Sequence, residues 1–452
     1  MRIELLGGGG VRVPHLVYRL LGHREELDLE EILLYDLDRH RAEAMAGLCG
    51  ALARRKGVDL PLRVIDAPGT GGPVDFVLTA IRPGLDRARA RDEEVCRGAG
   101  VLGQETTGAG GFFMALRTIG PLVDEVLRSL ETSPDAWVLN FTNPAGIMTE
   151  ALAARGVTRA AGLCDTPSHL LAEIESGLGV ASGDLTPSYV GLNHMGFFTG
   201  LVDRQGVDRL PEILDRYEEM RERIDSLRYF SPEVVRAIGN LPVEYVHFYL
   251  DRRGSVARQA ATPVLRGGQI EALNRRLWAA VEAAPGASEA ALGAYLEVMA
   301  TRSATYLAAE TGESRHRSRD PEAYLEHAGY EVIAIAAMRA LRGGPAATLM
   351  LDVMGGGASL GADPGEVYEA SVRVDATGLT VLPVAPPGPV ARSLIEAVKT
   401  YERLTRVAQA RPSRAALLAA LLAHPLIGDG PVAGRLLDLA AGAGVEGVAG
   451  IA

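Results

Sequence analysis

The sequence predicts an α/β fold, with an N-terminal Rossmann-type doubly wound parallel sheet and a C-terminal mixed α+β domain. Strand-like apolar segments alternate with helical patterns over the first 165 residues, as in a parallel sheet covered by helices. Four consecutive glycines directly follow the first apolar segment. Beyond this region, long amphipathic helices and paired strands replace the alternation. We therefore expect a division into residues 1–166, which bind a dinucleotide, and residues 167–452, which bind substrate and metal and support oligomerisation.

The predicted elements follow in order from these patterns. In the first half, short apolar segments predict strands at 2–6, 31–35, 62–66, 75–80, 136–141 and 159–164, with helices at 14–21, 38–56 and 118–131. In the second half, strands are predicted at 188–192, 197–202, 347–353 and 366–383. Helical periodicity there covers 268–285, 287–309, 320–342, 389–410, 413–423 and 431–441, and a charged helical zone covers 211–238.

Composition narrows the class of protein. The 452 residues carry a formal net charge of −11, which disfavours nucleic acid as a partner. The sequence lacks a run of about 20 uncharged apolar residues, so we expect no membrane span. The first residues enter a strand without the layout of a signal peptide. The 3 cysteines form no CxxC pair, which suits a reducing compartment, and we expect a cytoplasmic protein.

The start of the chain has the pattern of a dinucleotide site. The first strand runs into a turn of four glycines, a helix follows from Pro14, and the second strand ends at Asp36. Such glycines let the backbone approach a pyrophosphate, and the helix N-terminus faces its negative charge. A carboxylate at Asp36 suits ribose hydroxyls and favours NAD over NADP. Arg12 occupies the third glycine position of the usual fingerprint, and a plain turn is the alternative. The four glycines are Gly7, Gly8, Gly9 and Gly10.

Polar residues cluster after the predicted strands, where ligands bind in sheets of this kind. Arg89 is one of several arginines that could clamp a phosphate or sugar, although a solvated helix face is the simpler interpretation. Glu105 lies in a polar, glycine-rich run that indicates either a loop near a ligand or a surface loop. Asn143 precedes a proline, which favours an extended backbone that turns its amide toward the cleft; a strand-ending turn is the alternative.

Cys164 and His194 each lie near the end of a predicted strand. A lone cysteine is usually a core residue and a lone histidine usually a structural one. Together they could supply a thiolate and an imidazole to a divalent metal, with substrate oxygens completing the ligand shell. Tyr245 is most simply a packed aromatic residue. It could act as a base only if nearby cations or a metal lowered its pKa.

Taken in order, these motifs resemble glycoside hydrolase family 4, the NAD- and metal-dependent glycosidases. Within this family they are most similar to the 6-phospho-β-glucosidases. The resemblance covers nearly the whole chain. It rests on the glycine turn with Pro14 and on LLYDLD, GQETTGAGGFFMALRTIG, DAWVLNFTNPAGIMTEAL, GLCDTP, GLNHMGFF, LPVEYVHFYL and the late KTYERLT and AHPLIGD segments.

The resemblance implies hydrolysis by redox-assisted elimination, an exception to two-carboxylate glycosidase chemistry. NAD⁺ would take a hydride from C3 of the sugar, and the resulting ketone acidifies the proton on C2. Tyr245 would remove that proton with Glu105 in support, and Asp165 would help the aglycone leave. A divalent metal, typically Mn²⁺ in the family, would be held by Cys164 and His194 and would stabilise the enediolate. Water then adds and the hydride returns.

The resemblance also implies binding roles and partners. Arg89, Asn143 and Arg258 match substrate-binding positions, and Asn143 also joins the glycines and Asp36 in the cofactor site. The substrate would be a phosphorylated disaccharide or glucoside, and the enzyme a homodimer or homotetramer.

Departures from the family pattern leave alternatives open. Asp165 after the cysteine is typical of phospho-α-glucosidases, so the anomer is undecided, as is the need for the 6-phosphate. Arg12 replaces hydroxyl residues that usually follow the glycine turn. A hydrolase of unphosphorylated glycosides, an NAD-dependent hydroxy-acid dehydrogenase and a non-catalytic sugar-phosphate sensor stay as alternatives.

Overall fold

The computed structural model describes residues 1–284, 288–311, 320–326 and 329–451. Twelve strands in this part of the chain form one sheet. The first six are parallel, in the order β3-β2-β1-β4-β5-β6, which confirms the predicted Rossmann-type half. The strands are β1 (Arg2–Leu6), β2 (Glu31–Tyr35), β3 (Leu62–Val64), β4 (Phe76–Thr79), β5 (Trp137–Asn140), β6 (Ala160–Leu163), β7 (Thr186–Leu192), β8 (Met195–Val202), β9 (Leu241–Pro242), β10 (Ala347–Met354), β11 (Val367–Asp375) and β12 (Gly378–Val381).

Helices cover both faces of the parallel half and form most of the second half. They are α1 (Val13–Gly22), α2 (Arg39–Lys56), α3 (Leu85–Ala99), α4 (Gly108–Thr132), α5 (Ala145–Ala153), α6 (Asp165–Leu178), α7 (Leu210–Asp215), α8 (Tyr217–Arg223), α9 (Pro232–Ile238), α10 (His247–Leu250), α11 (Arg252–Ala261), α12 (Arg266–Ala283), α13 (Glu289–Ala304), α14 (Ala308–Thr311), α15 (Tyr330–Leu341), α16 (Pro389–Ala410), α17 (Arg414–Ala423) and α18 (Gly430–Gly442). In the described ranges, no helix combines the length and the apolar character needed to cross a bilayer.

The sheet continues from the parallel half into an antiparallel half. β10 pairs with β6, and β11, β7, β8 and β9 follow in that order, while β12 pairs with β11. The predicted division near residue 166 therefore falls between two strands of one sheet. The division into two functional domains stays a prediction.

The alternating direction of buried side chains explains why the parallel half has a core on each face. Val77 and Leu78 are neighbours on β4, and their side chains enter two different hydrophobic clusters. Phe112 of α4 belongs to the first cluster and Val17 of α1 to the second. Because side chains alternate along a strand, a strand that is apolar at every position needs helices on both faces.

Three elements differ from their predicted form. α4 begins at Gly108 and not at 118, because Gly110 and Gly111 pack directly on the preceding loop. A Cβ at these positions would lie 2.0 Å from the Gln104 carbonyl oxygen and 2.4 Å from that of Thr106. The predicted strand at 366–383 is a hairpin of β11 and β12. The predicted helix at 320–342 becomes an α-helix only at Tyr330, and residues 327–328 lie outside the described residues.

Two further helical predictions are also divided in the structure. The charged zone at 211–238 contains three short helices, α7, α8 and α9, and a 3₁₀ turn. The predicted helix at 287–309 ends with α13 at Ala304, and the short α14 follows. Leu307 lies between them with a φ of 57°, in the left-handed region, and this backbone conformation interrupts a regular helix.

Candidate active site

The carboxyl ends of the parallel strands open into a cavity of about 470 Å³. Residues from both halves of the sheet line it. It brings together most of the residues predicted for the site, namely Gly7, Gly9, Gly10, Asp36, Arg89, Glu105, Asn143, Asp165, His194 and Tyr245. The other three predicted residues, Gly8, Cys164 and Arg258, are not among the described residues that line it.

Backbone hydrogen bonds fix the glycine turn at the carboxyl end of β1. The amides of Gly7 and Gly8 donate to the carbonyl oxygen of Tyr35 at 2.9 and 2.7 Å. Gly7 has a φ of +92°, and a Cβ there would lie 2.5 Å from the carbonyl oxygen of Ala80, so this position requires glycine. The Gly9 amide donates to Oδ2 of Asp36 at 2.9 Å, which fixes that carboxylate at the edge of the cavity.

Arg12 stands at the start of α1 but does not cap the helix with its side chain. Its guanidinium lies over the Tyr330 ring, with Cζ 5.0 Å from the ring centroid. A second guanidinium, that of Arg302, also lines the cavity. Burial and the neighbouring positive charges of Arg12 and Arg82 lower the pKa of Arg302 to about 10. This side of the cavity is therefore suited to an anion.

Glu105 is ionised and held by arginines. Its Oε2 accepts from Nη1 of Arg89 at 2.6 Å, and Arg82 pairs with its other oxygen. Burial opposes ionisation, but the positive charges of Arg82 and Arg89 together hold the pKa of Glu105 well below its usual range. Glu93 accepts from Nε of the same Arg89 at 2.8 Å. These contacts fix the arginine's position along the cavity wall.

His194 lies in the tight turn between β7 and β8, with a φ of +64°. Its Nδ1 is 2.7 Å from the hydroxyl of Thr106, and that hydroxyl donates to Oε1 of Gln104 at 3.1 Å. If the Thr106 proton points to Gln104, the hydroxyl oxygen accepts from Nδ1–H, and Nε2 of His194 keeps a lone pair. Burial lowers the pKa of His194 to about 4, so the ring is neutral at pH 7.

Tyr245 stacks on His194, with ring centroids 3.9 Å apart and planes at 9°. The hydroxyl of Tyr306 lies 2.6 Å from the Tyr245 oxygen and 3.1 Å from Oε1 of Glu244, so it can donate to either. Burial raises the pKa of Tyr245, and the Tyr306 hydrogen bond opposes this shift. A cation bound in the cavity would lower that pKa.

Cys164 and Asp165 stand at the junction between β6 and α6. The thiol is buried, and burial together with the charges of Glu369 and Asp165 raises its pKa well above the usual range. The thiol lies near enough to Tyr245 to influence its ionisation. Asp165 is the first residue of α6 and faces the cavity.

The donor set limits what metal could bind here. Among the residues described, no three His, Cys, Asp or Glu side chains are grouped as a metal centre. A metal held by only one or two of these side chains would need oxygens of a bound molecule to complete its shell. That Cys164 and His194 are those ligands stays a prediction. This fits a metal that binds together with a hydroxylated substrate.

Arg258 contacts three described residues that are not among those lining the cavity. Its guanidinium lies 2.6 Å from Asp251, 3.3 Å from Ser255 and 3.2 Å from His247. Its role in substrate binding stays a prediction.

Sequence reasoning did not identify several residues of this cavity. Tyr306 and Tyr330 come from segments that show only helical periodicity, and Arg302 is one charged residue on an amphipathic helix. Glu125 is one acid among many on a long helix. No local pattern marks these residues, because only long-range packing places them near the strand ends.

Two family models cover most of the chain. The model for family 4 glycosyl hydrolase matches residues 2–180, and the model for the family 4 glycosyl hydrolase C-terminal domain matches residues 189–427. The chain belongs to glycosyl hydrolase family 4. These matches confirm the family resemblance identified from the sequence.

Similar proteins include glucosidases named for the α-anomer and for the β-anomer. The chain is 36% identical over 221 residues to maltose-6'-phosphate glucosidase of Bacillus subtilis, covering 48% of this chain and 49% of the relative. It is 33% identical over 267 residues to 6-phospho-beta-glucosidase of Escherichia coli, covering 57% and 59%. The matched region thus spans only about half to three fifths of these family 4 relatives.

A solved family 4 structure has the same architecture. The 6-phospho-beta glucosidase from Thermotoga maritima, solved with manganese, NAD⁺ and glucose-6-phosphate, superposes with a TM-score of 0.81. It is 25% identical in sequence, and the match covers 99% of each chain.

Proposed function

We propose that this chain hydrolyses 6-phospho-β-glucosides by redox-assisted elimination. The observation that carries the proposal is the stacked pair of Tyr245 and His194, which shares one cavity with Asp165 and a Rossmann glycine turn. Membership of family 4 supports the reaction class. The relative from Escherichia coli and the glucose-6-phosphate in the Thermotoga maritima structure support the substrate class.

The proposed reaction uses NAD and a divalent metal as cofactors, and Mn²⁺ is the metal that we expect. The glycine turn, Asp36 and Asn143 would hold the dinucleotide, and Cys164 and His194 would hold the metal. When bound, these groups supply a hydride acceptor and a Lewis acid. The neutral His194 with an available Nε2 suits a metal ligand, and Gly7 permits the close approach of a pyrophosphate.

The protein groups then have the following tasks in the reaction. Tyr245 removes the proton from C2 of the sugar, and Tyr306 stabilises its ionised form by donating a hydrogen bond. Asp165 donates a proton to the departing aglycone oxygen. Arg89 and Asn143 orient the sugar. Glu105 supports the Tyr245 base, as the family resemblance implies, and its contacts with Arg89 and Arg82 hold it in place.

The α-anomer is the second candidate. Asp165 directly follows Cys164, a feature typical of phospho-α-glucosidases, and the maltose-6'-phosphate glucosidase of Bacillus subtilis is 36% identical over the matched region. The anomeric choice depends on where the leaving oxygen sits relative to Asp165.

One assay tests the proposed reaction and distinguishes the β-anomer from the α-anomer as substrate. Release of p-nitrophenol is measured from its β- and α-glucoside 6-phosphates, with NAD⁺, Mn²⁺ and a thiol reductant, and again with each cofactor omitted. We expect release from the β-anomer that requires both cofactors. Release from the α-anomer alone would select the second candidate. Net NADH production without p-nitrophenol would instead indicate a dehydrogenase.

The assembly belongs to the same proposal. We infer a homodimer or homotetramer from the family resemblance. Sedimentation equilibrium at micromolar concentration should give two or four times the mass of 47.8 kDa, and a single-chain mass would contradict the inference.

A further inference from the structure

The end of the cavity beside Asp36 contains a second carboxyl that the proposed reaction does not use. Glu125 lies on α4, is only 6% exposed and lines the cavity. Its Oε2 is buried and has no hydrogen-bond partner among the described residues. A buried acceptor without a donor is costly, so this oxygen is suited to receive one from a bound molecule.

The residues around Glu125 indicate which kind of molecule would donate this hydrogen bond. Met114, Pro121 and Glu125 stand at helical spacing on one face of α4 and line the cavity together. Leu37 also lines the cavity and is 82% exposed. Apolar groups beside two carboxyls are the surroundings that an adenosine needs, because its purine has two apolar faces and its ribose carries two hydroxyl donors.

Asp36 already uses acceptor sites on both of its oxygens. Its Oδ2 already accepts from the Gly9 amide at 2.9 Å, and its Oδ1 accepts from the Asp38 amide at 3.0 Å. Burial and the neighbouring charge of Asp36 raise the pKa of Glu125 to about 7. A phosphate on the ribose 2′ oxygen would add negative charge beside this pair of acids, and it is therefore disfavoured.

We propose that Glu125 is a second acidic residue of the adenosine subsite, which accepts a hydrogen bond from the ribose and, with Asp36, excludes NADP. This inference rests on the proposed function, because it assumes that the cavity binds a dinucleotide. It adds a specificity-determining residue that lies 89 positions beyond Asp36 in the sequence and on a different element.

Calorimetric titration of the full chain with NAD⁺ and with NADP⁺ tests the inference. The variants are Glu125→Gln, which removes the charge and keeps an acceptor, and Glu125→Ala, which removes both. Glu131→Gln is the matched control, since Glu131 is exposed on the same helix. Circular dichroism melting confirms that each variant is folded.

We expect Glu125→Gln to leave the Kd for NAD⁺ within about threefold and to narrow the preference for NAD⁺ over NADP⁺ by about tenfold. Glu125→Ala should weaken NAD⁺ binding by about tenfold, and the control should match the unmodified chain. If both Glu125 variants kept the same preference for NAD⁺ over NADP⁺ as the unmodified chain, the inference would be overturned. If the unmodified chain bound neither dinucleotide, the proposed function itself would fail.

Discussion

At the scale of single residues, the proposed reaction requires that a buried tyrosine, Tyr245, act as a base. Burial raises the pKa of Tyr245, and the negative charge of Glu105 acts in the same direction. The hydrogen bond from Tyr306 is the protein contact that opposes this. A divalent cation beside His194 would oppose it further, since positive charge favours the phenolate. The proposed function therefore predicts that ionisation of Tyr245 depends on a cation bound beside His194.

The variant Tyr306→Phe measures this coupling. It removes a donor to the ionised form, so the pKa of Tyr245 should rise, and the acidic limb of the pH–rate profile should move to higher pH. We expect turnover at pH 7 to fall by about tenfold, with recovery at higher pH. Tyr245→Phe, by contrast, should lose activity at every pH. A Tyr306→Phe profile that coincides with that of the unmodified enzyme would contradict the assignment of the base.

Thr106 is expected to set the tautomer of His194. Thr106→Val removes the acceptor for Nδ1–H and should raise the Mn²⁺ concentration needed for half-maximal activity by about 10- to 100-fold. Thr106→Ser keeps the hydroxyl and is the control. Electron paramagnetic resonance of Mn²⁺ gives binding independently of turnover. Equal Mn²⁺ affinity in the two variants would exclude this role.

The residues of the site differ in how far sequence can predict them. Asp36, Asn143 and Asp165 lie just after strands, so local patterns suffice to place them at the cavity. Tyr306 contacts Tyr245 across 61 residues, and its segment has no distinguishing pattern. Glu125 also cannot be predicted as a site residue from local sequence, because its position depends on how α4 packs against the sheet.

At the scale of elements, the start of α4 cannot be predicted from the periodicity of apolar residues alone. The helices predicted at 389–410 and 413–423 agree with α16 and α17 to within one residue, because their apolar faces pack on one core. The first turn of α4 is rich in glycine, which disfavours a helix in isolation. It forms because Gly110 and Gly111 allow the helix to lie against the loop that carries Glu105 and Thr106.

Gly110→Ala tests this packing. The added Cβ would meet the backbone of Gln104, which cannot rotate away, so we expect the free energy of unfolding to fall by at least about 2 kcal/mol. Gly293→Ala in α13 is the control, because no described atom lies within 4 Å of the place that its Cβ would take. That change should stabilise the protein by about 0.5–1 kcal/mol. Urea denaturation measures both, and equal effects would contradict the packing argument.

At the scale of the whole molecule, one sheet and one buried ion cluster join the two halves. Lys399 of α16 is fully buried and donates to Glu150 of α5, to Oε2 of Glu402 at 3.1 Å and to the carbonyl of Val367 on β11 at 2.8 Å. The cluster thus ties a helix of the parallel half to a strand and a helix of the antiparallel half. The sequence predicts both halves but not this connection.

Lys399→Met should therefore be severely destabilising. It removes the cation that Glu150 and Glu402 share and leaves Arg406 as the remaining partner of Glu150, at a cost of about 3–5 kcal/mol in the free energy of unfolding. Arg275→Met is the control, since the Arg275–Glu271 pair is exposed and worth at most about 0.5 kcal/mol. Urea unfolding followed by circular dichroism compares them. A loss below about 1 kcal/mol for Lys399→Met would show that the cluster does not join the halves.

The measurement that tests the central claim most directly is hydrogen exchange at C2 during turnover. The enzyme is run in D₂O with a 6-phosphoglucoside, NAD⁺ and Mn²⁺, and the product is examined by proton NMR. Removal of the C2 proton by Tyr245 predicts glucose 6-phosphate that carries deuterium at C2. Product that retains its C2 proton would contradict the elimination mechanism and the role assigned to Tyr245.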